Sequence, residues 1–235
     1  MTYSRELNER SPLRVLEQSI HGGLGRGNLG VVCAGHGAGK SAFLVGIALD
    51  VLMRGNQVLH VALDQPAERV RNYYDEIFAE LAREEHLEDA ARVRLDVERN
   101  RHIHTYQEHS FQVSDLDRSL SFLRQHTHMD PQLILVDGYE WEEGDPAEIA
   151  DLKRFAAENQ AELWMSASID RDKPVTHPKG YPEPIARYES LVDVLLRLKG
   201  ANGTAHLSIL KDHENPKPGA VALDLDSTTL LLVRR

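Results

Sequence analysis

The 235 residues include a single cysteine, Cys33, which excludes an internal disulfide framework. A lone thiol fits a reducing compartment, and the expected location is the cytoplasm. Aromatic residues make up only 6% of the chain, with two tryptophans. No apolar run approaches the roughly 18 residues of a membrane span. The opening stretch, MTYSRELNERSP, lacks the apolar centre of a signal peptide. Basic residues are scarce relative to acidic ones: 27 Lys and Arg against 37 Asp and Glu give a net charge of −10. That deficit counts against a protein that coats nucleic acid through phosphate contacts, while leaving room for a local basic groove. Internal repeats and low-complexity tracts are missing too. What remains is ordinary, with 41% hydrophobic and 27% charged residues. A chain of this length buries a core without metal or disulfide staples.

Apolar, β-rich runs alternate with longer helical patterns, which predicts a mainly parallel sheet flanked by helices. The first strand is Leu29 to Ala34, and a helical pattern runs from Lys40 to Arg54, stopped by Gly55-Asn56. A second strand covers 57–63. Pro66 opens an amphipathic helix with Val70, Tyr74, Ile77, Phe78 and Leu81 on one face. The mixed charges of 83–101 read as a solvated helical face. Ile103–Tyr106 suggests a short strand, and Ser114 with Asp117 a helix start. Gln132 to Asp137 is an apolar strand ending in a carboxylate. Pro146 begins a further helix and Leu163 to Ser168 a further strand. Five prolines and glycines between 170 and 186 predict a long irregular loop. The last third predicts antiparallel strands at 191–199, 204–211, 219–225 and 228–233, with a turn at Asp226-Ser227. Residues 1–20 read as an extension and 21–235 as one domain.

The sharpest signal is Ala34-Gly-His-Gly-Ala-Gly-Lys40-Ser41, a P-loop pattern with alanine in place of its first glycine. It lies between an apolar strand and a helix, as its chemistry requires. Gly35, Gly37 and Gly39 let the backbone curl so that successive N–H groups face an anion. The helix adds its positive N-terminal end. Lys40 supplies a cation for β- and γ-phosphates, and the Ser41 hydroxyl a ligand for Mg²⁺. Asp137, at a strand tip, is placed to anchor that ion through water. Asp64, ending the second strand, reads either as a general base for water or as a helix N-cap before Pro66.

With these residues the sequence resembles the RecA-like ATPase core of the KaiC and DnaB helicase branch, over most of 20–233. Gly22 to Gly27 resembles that family's glycine-rich lead-in, Val61 to Ala67 the segment carrying its catalytic glutamate, and Asp137 its Walker B aspartate. Ser166 and Ser168 lie near its polar sensor position, and Ser190 to Leu198, with Asp193, resembles the stretch before its terminal hairpins. Ile209 to Gly219 resembles a Lys-x-Arg segment reaching a neighbouring subunit's γ-phosphate. The resemblance implies a three-layer RecA-like fold and ATP held with Mg²⁺ by Gly35, His36, Gly37, Ala38, Gly39, Lys40, Ser41 and Ala42. It also implies a homo-oligomer in which Lys211 and His213 complete a neighbour's site. Two departures point to slow hydrolysis or to binding without turnover. Asp64 is one methylene shorter than glutamate, and His213 replaces the arginine finger, a group contributing about 10³–10⁵ in rate. A neutral histidine stabilises transition-state charge poorly.

Nucleic-acid binding is disfavoured. The first loop that lines the family's channel reads Gly138 to Asp145, with Glu140, Glu142, Glu143 and Asp145 acidic. Tyr139 and Trp141 offer rings for base stacking but lack basic neighbours, so a solvated loop is the plainer reading. The second loop mixes Arg171, Lys173, His177, Lys179 and Arg187 with acids, and a protein target fits it as well. The pairs His102/His104 and His126/His128 lack partners at metal-site spacing. Cys33 reads as inert packing.

Overall fold

The computed structural model describes residues 11–107, 110–170, 172–201 and 203–235. The N-terminal ten residues, and Arg171 of the second loop, lie outside the described residues.

A nine-stranded sheet forms the centre, in the order β3-β2-β4-β5-β1-β6-β7-β8-β9. The strands are β1 (Leu29–Ala34), β2 (Val58–Leu63), β3 (Arg101–Tyr106), β4 (Leu133–Asp137), β5 (Glu162–Ser168), β6 (Val194–Ala201), β7 (Thr204–Asp212), β8 (Leu223–Asp226) and β9 (Leu232–Arg234). The first six pair in parallel, and β6 to β9 continue as antiparallel hairpins. Strands β1, β2 and β4 are buried along their whole length, which is why they read as unbroken apolar runs.

Alternate residues of those strands feed two cores, one on each face. On one face α1 (Leu13–Ser19), α2 (Lys40–Met53), α3 (Ala67–Glu84) and α4 (Ala90–Asn100) pack over Val32, Ala62, Leu135 and Trp164. On the other, α5 (Val113–Thr127) and α6 (Pro146–Glu158) cover Val31, Val61, Ile134 and Met165. The result is the three-layer α/β architecture of RecA-like P-loop proteins. Helix α2 is apolar nearly all round, because it sits between the sheet and its neighbours. Helix α4 is the solvated one, with Val97 its buried residue.

Local readings fail where distant contacts decide. Ser114 is not a helix cap: α5 starts at Val113 after Gln112, with no side chain capping it. Strands β8 and β9 are shorter than the apolar pattern predicts. The Asp226 carboxylate accepts the amides of Thr228 and Thr229, each at 2.8 Å, and so opens a wider turn that takes residues from the ladder. Helix α1 has no clear sequence signal, yet Leu13, Leu16 and Ile20 join the core beneath α2. Arg14 and Arg54 both pair with Asp50, tying α1 to α2.

Candidate functional site

The P-loop connects the C-terminal end of β1 to the first turn of α2. Gly37 and Gly39 hold φ of 72° and 91°, a backbone region that L side chains rarely enter. At Gly39 a methyl group would also meet Leu225 Cδ2 at 2.3 Å, so the β8 side chain would have to shift, on top of the backbone strain. Helical bonding begins with Phe43 N donating to Gly39 O at 2.9 Å. The amides of Ser41 and Ala42 therefore point along the helix axis toward the loop. Lys40 Nζ folds back to the carbonyls of Ala34 and Gly35, 3.4 Å from each. His36 is exposed, Gly35 is buried, and Ala38 packs partly on the core. Ala42 is buried; its methyl faces an apolar cavity of about 310 Å³ between α2, α3 and the β8–β9 hairpin, so only its backbone can serve an anion.

Asp137 lies two strands away, with β5 between. Its Oδ1 accepts the Ser166 hydroxyl at 2.5 Å, and that hydroxyl in turn accepts the Gly138 amide at 3.1 Å. The Ser166 hydroxyl is thus fixed by one bond donated and one accepted, and the carboxylate is held on the α2 face of the sheet. Asp137 Oδ2 receives Gln65 Nε2 at 3.3 Å. Ser41 and Asp137 offer hard oxygen donors, the chemistry that suits Mg²⁺. The donor set fits that ion: Ser166 and Gln65 orient the anchoring carboxylate from its own chain.

Asp64 is not the N-cap of α3; Pro66 holds that position and no side chain caps the helix. Asp64 takes φ 54° and its amide donates to Tyr106 O at 3.0 Å. The backbone bend carries Gln65, rather than Asp64, onto Asp137. Asp64 instead lines a crevice with Gln107, Phe111, Gly138, Glu140 and Glu143. Gln65 carried no motif signal, and only that bend reveals it.

Lys211 and His213 sit at the opposite end of the strands from the P-loop. Asp212 pairs with Val194, which pairs with Gly30, whereas the P-loop leaves β1 at Ala34. Four residues of strand separate these levels by about 13 Å. Lys211 Nζ donates to Glu189 O at 2.7 Å and Val192 O at 2.6 Å. His213 contacts the Asp212 carboxylate through Nδ1 at 2.9 Å and Leu24 O through Nε2 at 3.0 Å. Two acceptors on one imidazole require two N–H donors, so His213 is held as the cation rather than the neutral ring. Partial burial disfavours that charge, but the Asp212 partnership outweighs it and raises the pKa above 6.5. Asp212 also takes His21 Nδ1 at 2.5 Å, fastening the glycine-rich lead-in to β7.

The acidic loop is not a free solvated loop. Trp141 is 2% exposed, donates its indole N–H to Ser166 O at 2.7 Å, and meets Tyr139 and Tyr188 edge-on at 5.4 and 5.0 Å. Neither Tyr139 nor Trp141 offers a face to a base. Arg187 donates to the carbonyls of Trp141 and Glu142 at 2.9 and 2.8 Å, and Lys173 pairs with Glu142 at 3.0 Å. Basic side chains of the second loop are thereby engaged by the first. Glu140, Glu142 and Glu143 remain exposed, as the sequence suggested. Cys33 is buried and its thiol is pushed up to about 12 by that burial, an inert packing group. Among the described residues, no cluster of histidines, cysteines and acids is placed to hold a metal ion, and no helix is long and apolar enough to cross a membrane.

Comparison with curated proteins found no match. A family model described as AAA domain matches residues 4–139, the stretch that carries β1, the P-loop, β2 and Asp137. That match spans more than half of the chain, and the sheet places the matched elements where a P-loop ATPase needs them: the chain belongs to the AAA domain family.

Proposed function

We propose that this protein binds ATP with Mg²⁺ and hydrolyses it slowly, using the nucleotide as a conformational or assembly switch of the KaiC and DnaB type. The observation that carries this reading is the glycine cup at 35–39 at the same end of the sheet as Asp137, itself oriented by Ser166 and Gln65. In this reading Gly35 to Ser41 cradle the phosphates and Lys40 leaves its own carbonyls for the β- and γ-oxygens. Ser41 ligates Mg²⁺, and Asp137 anchors it through water. The ion neutralises charge that builds between the β- and γ-phosphates. Asp64 orients the attacking water, with Gln65 the second candidate because it touches Asp137.

The trans role of Lys211 and His213 requires a homo-oligomer. Both stand at the end of the strands away from their own P-loop, so a nucleotide that they complete would be a neighbour's. The cationic state of His213 supplies charge that a neutral ring lacks, although Asp212 neutralises much of it.

A non-hydrolysing module, in which ATP stabilises an interaction surface, is the second reading; the shared engagement of Lys211 and His213 within their own chain favours it. A motor stimulated by single-stranded DNA is the third, and the burial of Tyr139 and Trp141 tells against it. Phosphate release by the purified protein separates them. Turnover that falls at least tenfold in Asp64→Asn supports the enzyme. No turnover in any oligomeric state, sized with and without ATP and Mg²⁺, supports the module. Stimulation by single-stranded DNA at low salt supports the motor.

A further inference from the structure

His60 lies in the middle of β2 with its side chain among the α2-side core, and it is 1% exposed. Its Nδ1 is 3.1 Å from the Tyr74 hydroxyl, and the two rings meet edge-on at 5.7 Å. The Arg101 guanidinium covers the other side of Tyr74, 4.4 Å from the ring centre. Among the described residues, His60 Nε2 is buried without a hydrogen-bond partner. An unsatisfied buried group of this kind costs about 1–3 kcal/mol, and a valine or leucine would fill a strand position here without that penalty. If the Tyr74 hydroxyl donates to Nδ1, the ring hydrogen sits on Nε2 and the orphan atom is a donor.

The natural acceptor is close. Ala62 pairs with Asp137 and His60 with Leu135, so His60 and Asp137 are diagonal neighbours on one face of adjacent strands. In a parallel pair, two residues along and one strand across put their Cα atoms about 8 Å apart, a gap that side chains on one face close through a single water between imidazole and carboxylate. The charge of Asp137 is felt at the His60 ring. Ser166 and Gln65 occupy two of the roughly four acceptor positions of that carboxylate, which leaves room for a third donor.

We infer that His60 is a positioning residue for Asp137: through one buried water its Nε2–H steadies, from inside the core, the carboxylate that anchors nucleotide-bound Mg²⁺. Tyr74 on α3 holds the ring in the matching tautomer, so the chain reaches from α3 to the metal anchor. This inference rests on the Mg²⁺–ATP reading given above.

The test is calorimetric binding of a non-hydrolysable ATP analogue across a series of Mg²⁺ concentrations and in EDTA. His60→Leu should need about tenfold more Mg²⁺ for half-maximal tight binding, the loss typical when a partner of a metal ligand is removed. Its affinity in EDTA should equal that of the unmodified protein, and His60→Gln, which keeps an N–H donor, should recover most of the Mg²⁺ response. Should His60→Leu not fold, Tyr74→Phe should shift the Mg²⁺ requirement in the same direction by a smaller factor. An unchanged Mg²⁺ requirement, or an equal loss with and without Mg²⁺, overturns the role of His60 while leaving nucleotide binding in place. Failure of the unmodified protein to bind the analogue at any Mg²⁺ concentration overturns the underlying reading as well.

Discussion

Replacing Lys40 with alanine should lower ATP affinity at least a hundredfold, below what calorimetry detects, while leaving the melting temperature almost unchanged. The ammonium is partly exposed, and its contacts to the carbonyls of Ala34 and Gly35 are long, at 3.4 Å. Losing those contacts costs the fold little. A phosphate in the cup would replace them with charge-assisted bonds, each worth about 1.5–3 kcal/mol. Two such bonds amount to at least two decades in affinity. Lys40→Arg would not restore it, because a planar guanidinium cannot follow the same path between β- and γ-oxygens. Unchanged affinity in Lys40→Ala would remove the phosphate assignment.

Trp141→Ala should be the most destabilising single change in the loops, by about 3–5 kcal/mol, and should lower the melting temperature by roughly 10 °C. The indole fills a slot between Tyr139 and Tyr188 and bonds to Ser166 O. Ser166 carries the hydroxyl that fixes Asp137, so the damage should spread to the metal anchor. Trp141→Phe keeps most of the packing and loses the indole bond, and should cost about 1 kcal/mol. Urea denaturation followed by circular dichroism measures both. A Trp141→Ala protein as stable as its parent would show that the aromatic cluster does not hold the two loops together.

The P-loop was legible because its chemistry is local: three glycines, a lysine and a serine within positions 35–41, between a strand and a helix. Asp137 was legible because it ends an apolar strand about 95 residues after Lys40 in a chain that already carries a P-loop; alone, a strand ending in Asp says little. The sheet flanked by helices followed from apolar runs alternating with longer helical patterns. Other features depend on contacts across many residues. Trp141 stands among Glu140, Glu142 and Glu143, and the local pattern says solvent; its slot is built by residues 166, 187 and 188. Gln65 reaches Asp137 only because the chain bends at Asp64 into a positive φ that no neighbouring residue type announces. The charge of His213 is likewise set by Asp212 and by the carbonyl of Leu24, nearly the whole chain away.

The most direct measurement is a crystal structure of the protein grown with Mg²⁺ and a non-hydrolysable ATP analogue. The phosphates should lie against the backbone amides of 36–41, with Lys40 Nζ swung off the Ala34 and Gly35 carbonyls and Asp137 facing the ion. An analogue seated elsewhere, such as in the apolar cavity beside α2, with the loop amides turned away, would contradict the account.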